Sequence, residues 1–128
     1  MRMCVKGWLV LLMLCFLVYG CGSNEMEFDP KKWNHRPDIS YTYRKAMVQD
    51  LMHQHLNQDM SYEDVTGLLG PVDPGRSRLE DSLLVLSYEI FVEYGPSIHP
   101  KRGEDLVIRL SEDSLVVDYR LRQWERGQ

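Results

Sequence analysis

Three runs in the C-terminal half leave the chain little choice of architecture. LLVLSYEIFVEY (83–94), DLVIRL (105–110) and LVVDYRLRQW (115–124) are rich in β-branched and aromatic residues and are separated by turn chemistry, the pattern of antiparallel strands. The turn SEDS (111–114) closes the last hairpin, and counting outward from it pairs Leu110 with Leu115, Ile108 with Val117 and Leu106 with Tyr119 on one face. Leu84, Leu86, Tyr88 and Ile90 extend that face, which is expected to meet the helices. Val85, Glu89, Phe91, Val107, Arg109, Val116, Asp118 and Arg120 then point the other way, giving an outer face that mixes apolar and charged residues. GPSIHPKRGE (95–104) reads as a long polar loop between the first two strands, and PVDPGRSRLED (71–81) as the link from helix to sheet.

Two helices are expected ahead of the sheet. In SYTYRKAMVQDLMHQHL (40–56) apolar residues fall at Met47, Val48, Leu51, Met52 and Leu56, the spacing of one side of a 3.6-residue helix, with Ser40 as its cap and Asn57 as a left-handed stop. In DMSYEDVTGLLGP (59–71), Ser61 can accept from the amide of Asp64, and Glu63 and Asp64 suit the positive helix start. Val65, Leu68 and Leu69 form its apolar stripe, Gly70 and Pro71 end it, and Met60 is placed to staple it to its surroundings. The expected fold is α+β: two N-terminal helices packed on one face of a three-stranded antiparallel sheet, in the order ααβββ.

The N-terminus reads differently. The apolar run from Gly7 to Val18 is too short for a helix that spans a bilayer, which takes about 20 residues. Arg2 and Lys6 precede it and small residues follow, the order of a secretory signal peptide, so residues 1–20 are expected to be removed. Cys4 and Cys15 leave with the leader, and the exported chain keeps a single thiol, Cys21, at its first position. No disulfide is then available, and stability must come from packing. The 108 residues that remain suit one domain and carry 13 basic against 19 acidic residues, a balance that argues against nucleic acid as a partner.

Val18-Tyr19-Gly20-Cys21 resembles the bacterial lipobox, in which the cysteine receives a thioether-linked diacylglycerol and becomes the new N-terminus. The resemblance implies a lipid anchor on Cys21, effectively permanent with two or three acyl chains. It places the chain at the cell membrane or outer membrane, facing outside the cytoplasm. Gly22 after the cysteine implies sorting to the outer membrane in a cell with two membranes. A secreted protein that retains a free thiol is the plain alternative. Residues 21–38 contain Pro30 and Pro37, show no periodicity and read as a lipidated tether. Its seventeen residues after the cysteine reach about 55 Å stretched, or about 20 to 25 Å as a coil. Phe28 and Trp33 have docking on the domain, or at the lipid interface, as their alternative. Residues 39–128 form the domain.

A lipobox, a tether, then a helix leading into QDMSYEDVTGLLGPVD and strands resembles the SmpA/OmlA, or BamE-like, family of small bacterial lipoproteins. What that resemblance implies is an ααβββ fold, shared with each half of β-lactamase inhibitory protein. It also implies a non-enzymatic accessory of outer-membrane protein assembly that contacts partner proteins and phospholipid.

The residues themselves offer little chemistry. His53 and His55, two apart on a helix, point to different sides, whereas helical zinc pairs stand four apart. His35 and His99 lie in the tether and a loop, and Ser61 lacks a nucleophile context. Glu63-Asp64 and Glu112-Asp113 sit at a helix start and a turn, where acids are ordinary. No enzyme, cofactor or metal is expected. The expectation is an anchored envelope binding module whose partner, an envelope protein, docks on Phe91, Val107, Val116, Arg109, Asp118 and Arg120. A solvated sheet back is the bland alternative for that face. The second functional reading is an inhibitor or modulator of a periplasmic or surface hydrolase, acting through residues 95–103 with Tyr94, Ile98 and His99 as probes.

Overall fold

Leu83 to Tyr94 form a single strand of twelve residues, and this strand organises the rest of the computed structural model, which describes residues 25–126. In chain order the elements are α1 (Pro30–Trp33), α2 (Arg44–Asp50), a π-helical turn (Leu51–His55) and α3 (Tyr62–Leu69). β1 (Ser77–Glu80), β2 (Leu83–Tyr94), β3 (Pro100–Leu110) and β4 (Val116–Glu125) follow, paired antiparallel in the order β1-β2-β3-β4. The expected two helices and three strands are thereby corrected to three short helices and four strands.

The extra strand comes from the expected linker. Arg78 pairs with Val85 and Glu80 with Leu83, so Asp81 and Ser82 form a two-residue hairpin turn. Both have positive φ, 51° and 67°, as the tight turn that matches strand twist requires. Asp-Ser is a poor advertisement for a turn that usually takes Asn-Gly. The expected loop 95–104 also shrinks, because Pro100–Glu104 belong to β3 and only residues 95–99 connect the strands.

Two bulges re-aim side chains. A shift between Glu89 and Phe91 puts Phe91 opposite Glu104, partly buried against the core with Lys45 5.0 Å from its ring centroid. On β4 the pairs are Leu110 with Val116, Arg109 with Asp118 and Ile108 with Tyr119. Ser114 at φ 61° inserts one residue at the turn and Val117 is skipped, so the expected Leu110–Leu115, Ile108–Val117 and Leu106–Tyr119 pairs do not form. Val116 enters the core and Val117 is exposed, the reverse of the expected facing.

The inner face of the sheet carries Leu86, Tyr88, Ile90, Leu106, Ile108 and Leu110 into one cluster with Met47, Val48, Leu51, Val65 and Leu69 from the helices. Each such side chain taken out of water contributes about 1.5 to 3 kcal/mol. Helices this short do not persist alone in water, and burial is what holds them. The helix expected from Ser40 is α2 and starts at Arg44, with Tyr43 in the cap position and no side-chain cap. Its π-helical end lets both Leu51 and Leu56 be buried, although five residues would set them about 140° apart on an α-helix. Tyr119 Oη–H donates to the carbonyls of Met52 (3.3 Å) and Leu56 (3.1 Å), groups the helix end leaves without partners. On α3 the expected Ser61 cap is present, Ser61 Oγ accepting from the Asp64 amide at 3.0 Å, and Asp64 Oδ2 accepts in return from the Ser61 amide at 3.2 Å, which completes a capping box.

Residues expected as tether are stitched to this body. The amide of Met26 donates to the carbonyl of Ala46 at 2.8 Å and that of Phe28 to Asp50 Oδ2 at 2.8 Å, while Trp33 is fully buried. Docking is thus the alternative that holds for Phe28 and Trp33. Arg44 is the rivet. It is itself buried, with Nε donating to the carbonyl of Trp33 (2.9 Å) and Nη1 to that of Glu89 (2.8 Å), and its guanidinium lies 3.3 Å from the Tyr41 ring centroid. Burial pushes its pKa down, which the neighbouring Tyr41, Asp73 and Glu89 oppose.

Candidate functional site

Strand alternation builds the outer face of the sheet rung by rung. One rung runs Arg78, Val85, Arg109, Asp118; the next places Ser87, Val107 and Arg120 side by side; a third aligns Glu89, Asp105 and Arg122; a fourth sets Val92 and Gly103 beside Trp124. Val85 and Val107 are buried but lie outside the helix-side cluster. Around them the face is an ionic lattice. Arg109 makes a two-pronged bond to Asp118, and Arg78 pairs with Glu80 at 2.9 Å.

Asp105 is the buried centre of that lattice, 1 % exposed, taking Arg76 at 3.2 Å and Arg122 at 3.4 Å. Arg76 also reaches Glu89 at 3.5 Å. The two carboxylates that show a shift on this face do so in opposite directions. Burial raises the Glu89 pKa against the pull of Arg76, whereas the hydrogen bond from Arg109 lowers that of Asp118. Among the described residues the one hydrogen bond of the Arg122 side chain is the 3.4 Å bond to Asp105, and its Nε is enclosed without an acceptor.

At the hairpin end of this face a cleft of about 390 Å³ lies among Tyr94, Pro100 and Trp124, with Arg76, Arg122 and Arg126 at its rim. A second cleft of about 290 Å³ continues from it past Arg76 and Arg122 to Arg78 and Ser87. Trp124 lies close over Gly103: a Cβ there would come within 2.6 Å of both the indole and the carbonyl oxygen of Phe91, so only glycine fits. On the other side of Trp124 a cleft of about 470 Å³ is bounded by Phe91, Gln123 and the Arg102–Glu93 ion pair.

The β2–β3 connection is a tight turn. The amide of Ile98 donates to the carbonyl of Gly95 (3.2 Å) and that of Gly95 to the carbonyl of His99 (2.9 Å). Ile98 has φ 59° and is 70 % exposed. A β-branched residue in the left-handed region is strained by roughly 1 to 3 kcal/mol, and such strain gathers at functional positions.

The expected docking residues are therefore dispersed. Phe91 and Val116 face the helices and Val107 is covered, which leaves Arg109, Asp118 and Arg120 on the accessible outer face. Tyr94 lines the cleft, and Ile98 and His99 are exposed at the turn. Reading the sequence missed Arg76, Arg122, Trp124 and Arg126, although the alternation Arg120, Arg122, Trp124, Arg126 was a usable signal once 115–124 was read as a strand. Cys21 lies outside the described residues. His55 approaches Asp50 at 3.5 Å, and among the described residues no three His, Cys, Asp or Glu side chains converge as a metal site. Among them, too, no helix is long and apolar enough to cross a membrane. No protein-family model, curated protein or solved structure matches the chain.

Proposed function

We propose that this chain is a lipid-anchored, non-enzymatic binding module of the bacterial cell envelope. In this reading acyl chains on Cys21 hold it to the membrane, and it serves envelope or outer-membrane protein assembly by docking a partner protein on the outer face of its sheet. Resemblance to the SmpA/OmlA lipoproteins in the lipobox and the 59–71 segment supports the reading, while β1 and the docked N-terminal segment depart from the ααβββ layout that the resemblance implies.

The observation that carries the docking is segregation of charge. Of the 13 basic and 19 acidic residues from Cys21 onward, six arginines and four carboxylates belong to the outer face and its cleft, leaving seven and fifteen elsewhere. An acidic body thus presents one face of opposite sign, an arrangement that orients and selects a partner.

The test is the mass of the protein isolated from its native membrane. The expected product begins at Cys21 with added acyl mass, and Cys21→Ser releases the chain from the membrane fraction. An unmodified product starting elsewhere overturns the anchor, and unchanged outer-membrane protein insertion after deletion overturns the assembly role. Exposed, strained Ile98 favours a second reading, an inhibitor or modulator of a periplasmic or surface hydrolase acting through residues 95–99. Recovery of a soluble hydrolase, lost with Ile98→Asp, would select it over a membrane assembly.

A further inference from the structure

Resting on the docking reading above, the structure assigns the cleft beside Trp124 to an acidic polypeptide segment bound in extended form. The occupant carries carboxylates on either side of an apolar side chain, in the pattern acid-x-apolar-x-acid. Three observations converge on it. Arg122, Trp124 and Arg126 line the cleft at alternate positions, so along the chain it offers a cation, an aromatic ring and a cation. An extended peptide presents its own alternate residues on one side at the same spacing, about 6.5 to 7 Å. The middle residue of such a segment meets Trp124, Tyr94 and Pro100, and its two flanking carboxylates meet the guanidinium groups.

The second observation is donor capacity. A guanidinium has five N–H donors and recognises carboxylates in pairs of parallel bonds. Among the described residues the Arg122 side chain uses one long bond, to Asp105, and exposed Arg126 makes one hydrogen bond, from its backbone amide to the carbonyl of Lys101 at 2.9 Å. Buried Asp105 holds Arg76 and Arg122 from beneath, which fixes their positions before a ligand arrives. The third is the pair of carboxylates in the wall, Glu89 and Asp105. They repel the dense charge of a phosphate group more than a single carboxylate, and both are already engaged by arginines. A phospholipid headgroup is disfavoured on the same ground.

The signal for the test is built in, because Trp33 is fully buried while Trp124 borders the cleft. The chain beginning at Cys21, in dodecyl maltoside, is titrated with an end-capped peptide repeating Glu-Ser-Leu-Ser, and tryptophan emission is followed. Saturable change is expected, weakening with salt, with no response to the Lys-Ser-Leu-Ser counterpart. Arg126→Glu, at an exposed side chain, is expected to weaken binding at least about tenfold, the loss of one or two charge-assisted bonds. Arg122→Gln tests the second cation, and Lys31→Glu on α1 leaves the affinity within about twofold, as expected for a charge on another element. Equal binding by the wild type and both arginine variants overturns the assignment, as does a response to phosphatidylglycerol in mixed micelles where the acidic peptide is silent. Neither result touches the mass measurement at Cys21, so this assignment can fail while the anchor stands.

Discussion

The two faces of one sheet are made to different rules. On the inner side Leu86, Ile90, Leu106 and Ile108 are sealed against helices and held by non-directional burial. On the outer side buried Asp105 takes Arg76 and Arg122, while Arg109 meets Asp118 in a half-exposed pair, the two side chains being 42 % and 40 % exposed. Ion pairs so exposed contribute about 0 to 1 kcal/mol each. The inner face therefore decides whether the chain folds, and the outer face is left with side chains whose positions matter more for recognition than for stability.

The sharpest way to break that contrast is a matched truncation. Leu106→Ala, at a fully buried position, is expected to lower unfolding free energy by about 2 to 5 kcal/mol in urea titration, whereas Arg120→Ala on the outer face stays within about 0.5 kcal/mol. Comparable losses would dissolve the distinction. Arg44 probes the border, being a cation on the buried side. Arg44→Met leaves the carbonyls of Trp33 and Glu89 without their donor and is expected to cost about 2 to 3 kcal/mol, with Trp33 emission shifting to longer wavelength.

Ile98→Gly has the opposite sign, since glycine takes φ 59° freely; a gain of about 1 kcal/mol is expected, less whatever flexibility is added to the unfolded chain. The smallest effect comes from the outer lattice. The Arg109 hydrogen bond depresses the Asp118 pKa in the folded state, so its contribution is present above the ordinary aspartate value and is lost as pH falls through the depressed one. Carboxyl NMR titration is expected to show Asp118 returning upward in Arg109→Gln, with stability at neutral pH changed by less than about 1 kcal/mol. Glu89 runs the other way: burial raises its pKa, so its cost at neutral pH disappears on acidification.

Much of the inner face was legible from sequence. Leu86, Tyr88, Ile90, Leu106 and Ile108 follow strict alternation, and the Ser61 cap carries a local signature that tertiary context did not override. Phe91 and Val116 were misassigned because one inserted residue flips every side chain beyond it, and neither bulge has a composition that announces it. β1 was hidden behind an Asp-Ser turn and has four exposed residues, so it shows no buried stripe. Trp33 and Arg44 needed three dimensions, because a buried guanidinium is intelligible only with the ring and carbonyls that receive it. For the cleft, the arginines at the end of β4 lay in plain alternation, but Asp105 reaches them from β3 and Arg76 from just before β1, and nothing local couples those positions.

The stitched N-terminal segment changes the geometry of attachment. Where a seventeen-residue leash would let the domain roam, Met26 is already fastened to Ala46, and only four residues separate it from the proposed acylated Cys21, a contour of about 17 Å over five Cα–Cα steps. That is little more than the radius of gyration of a body this size, about 13 Å. The proposed anchor thus makes the protein a skater rather than a kite. It would meet partners by lateral diffusion in a thin layer above the lipid, and it would reach only those acidic segments that pass within that layer.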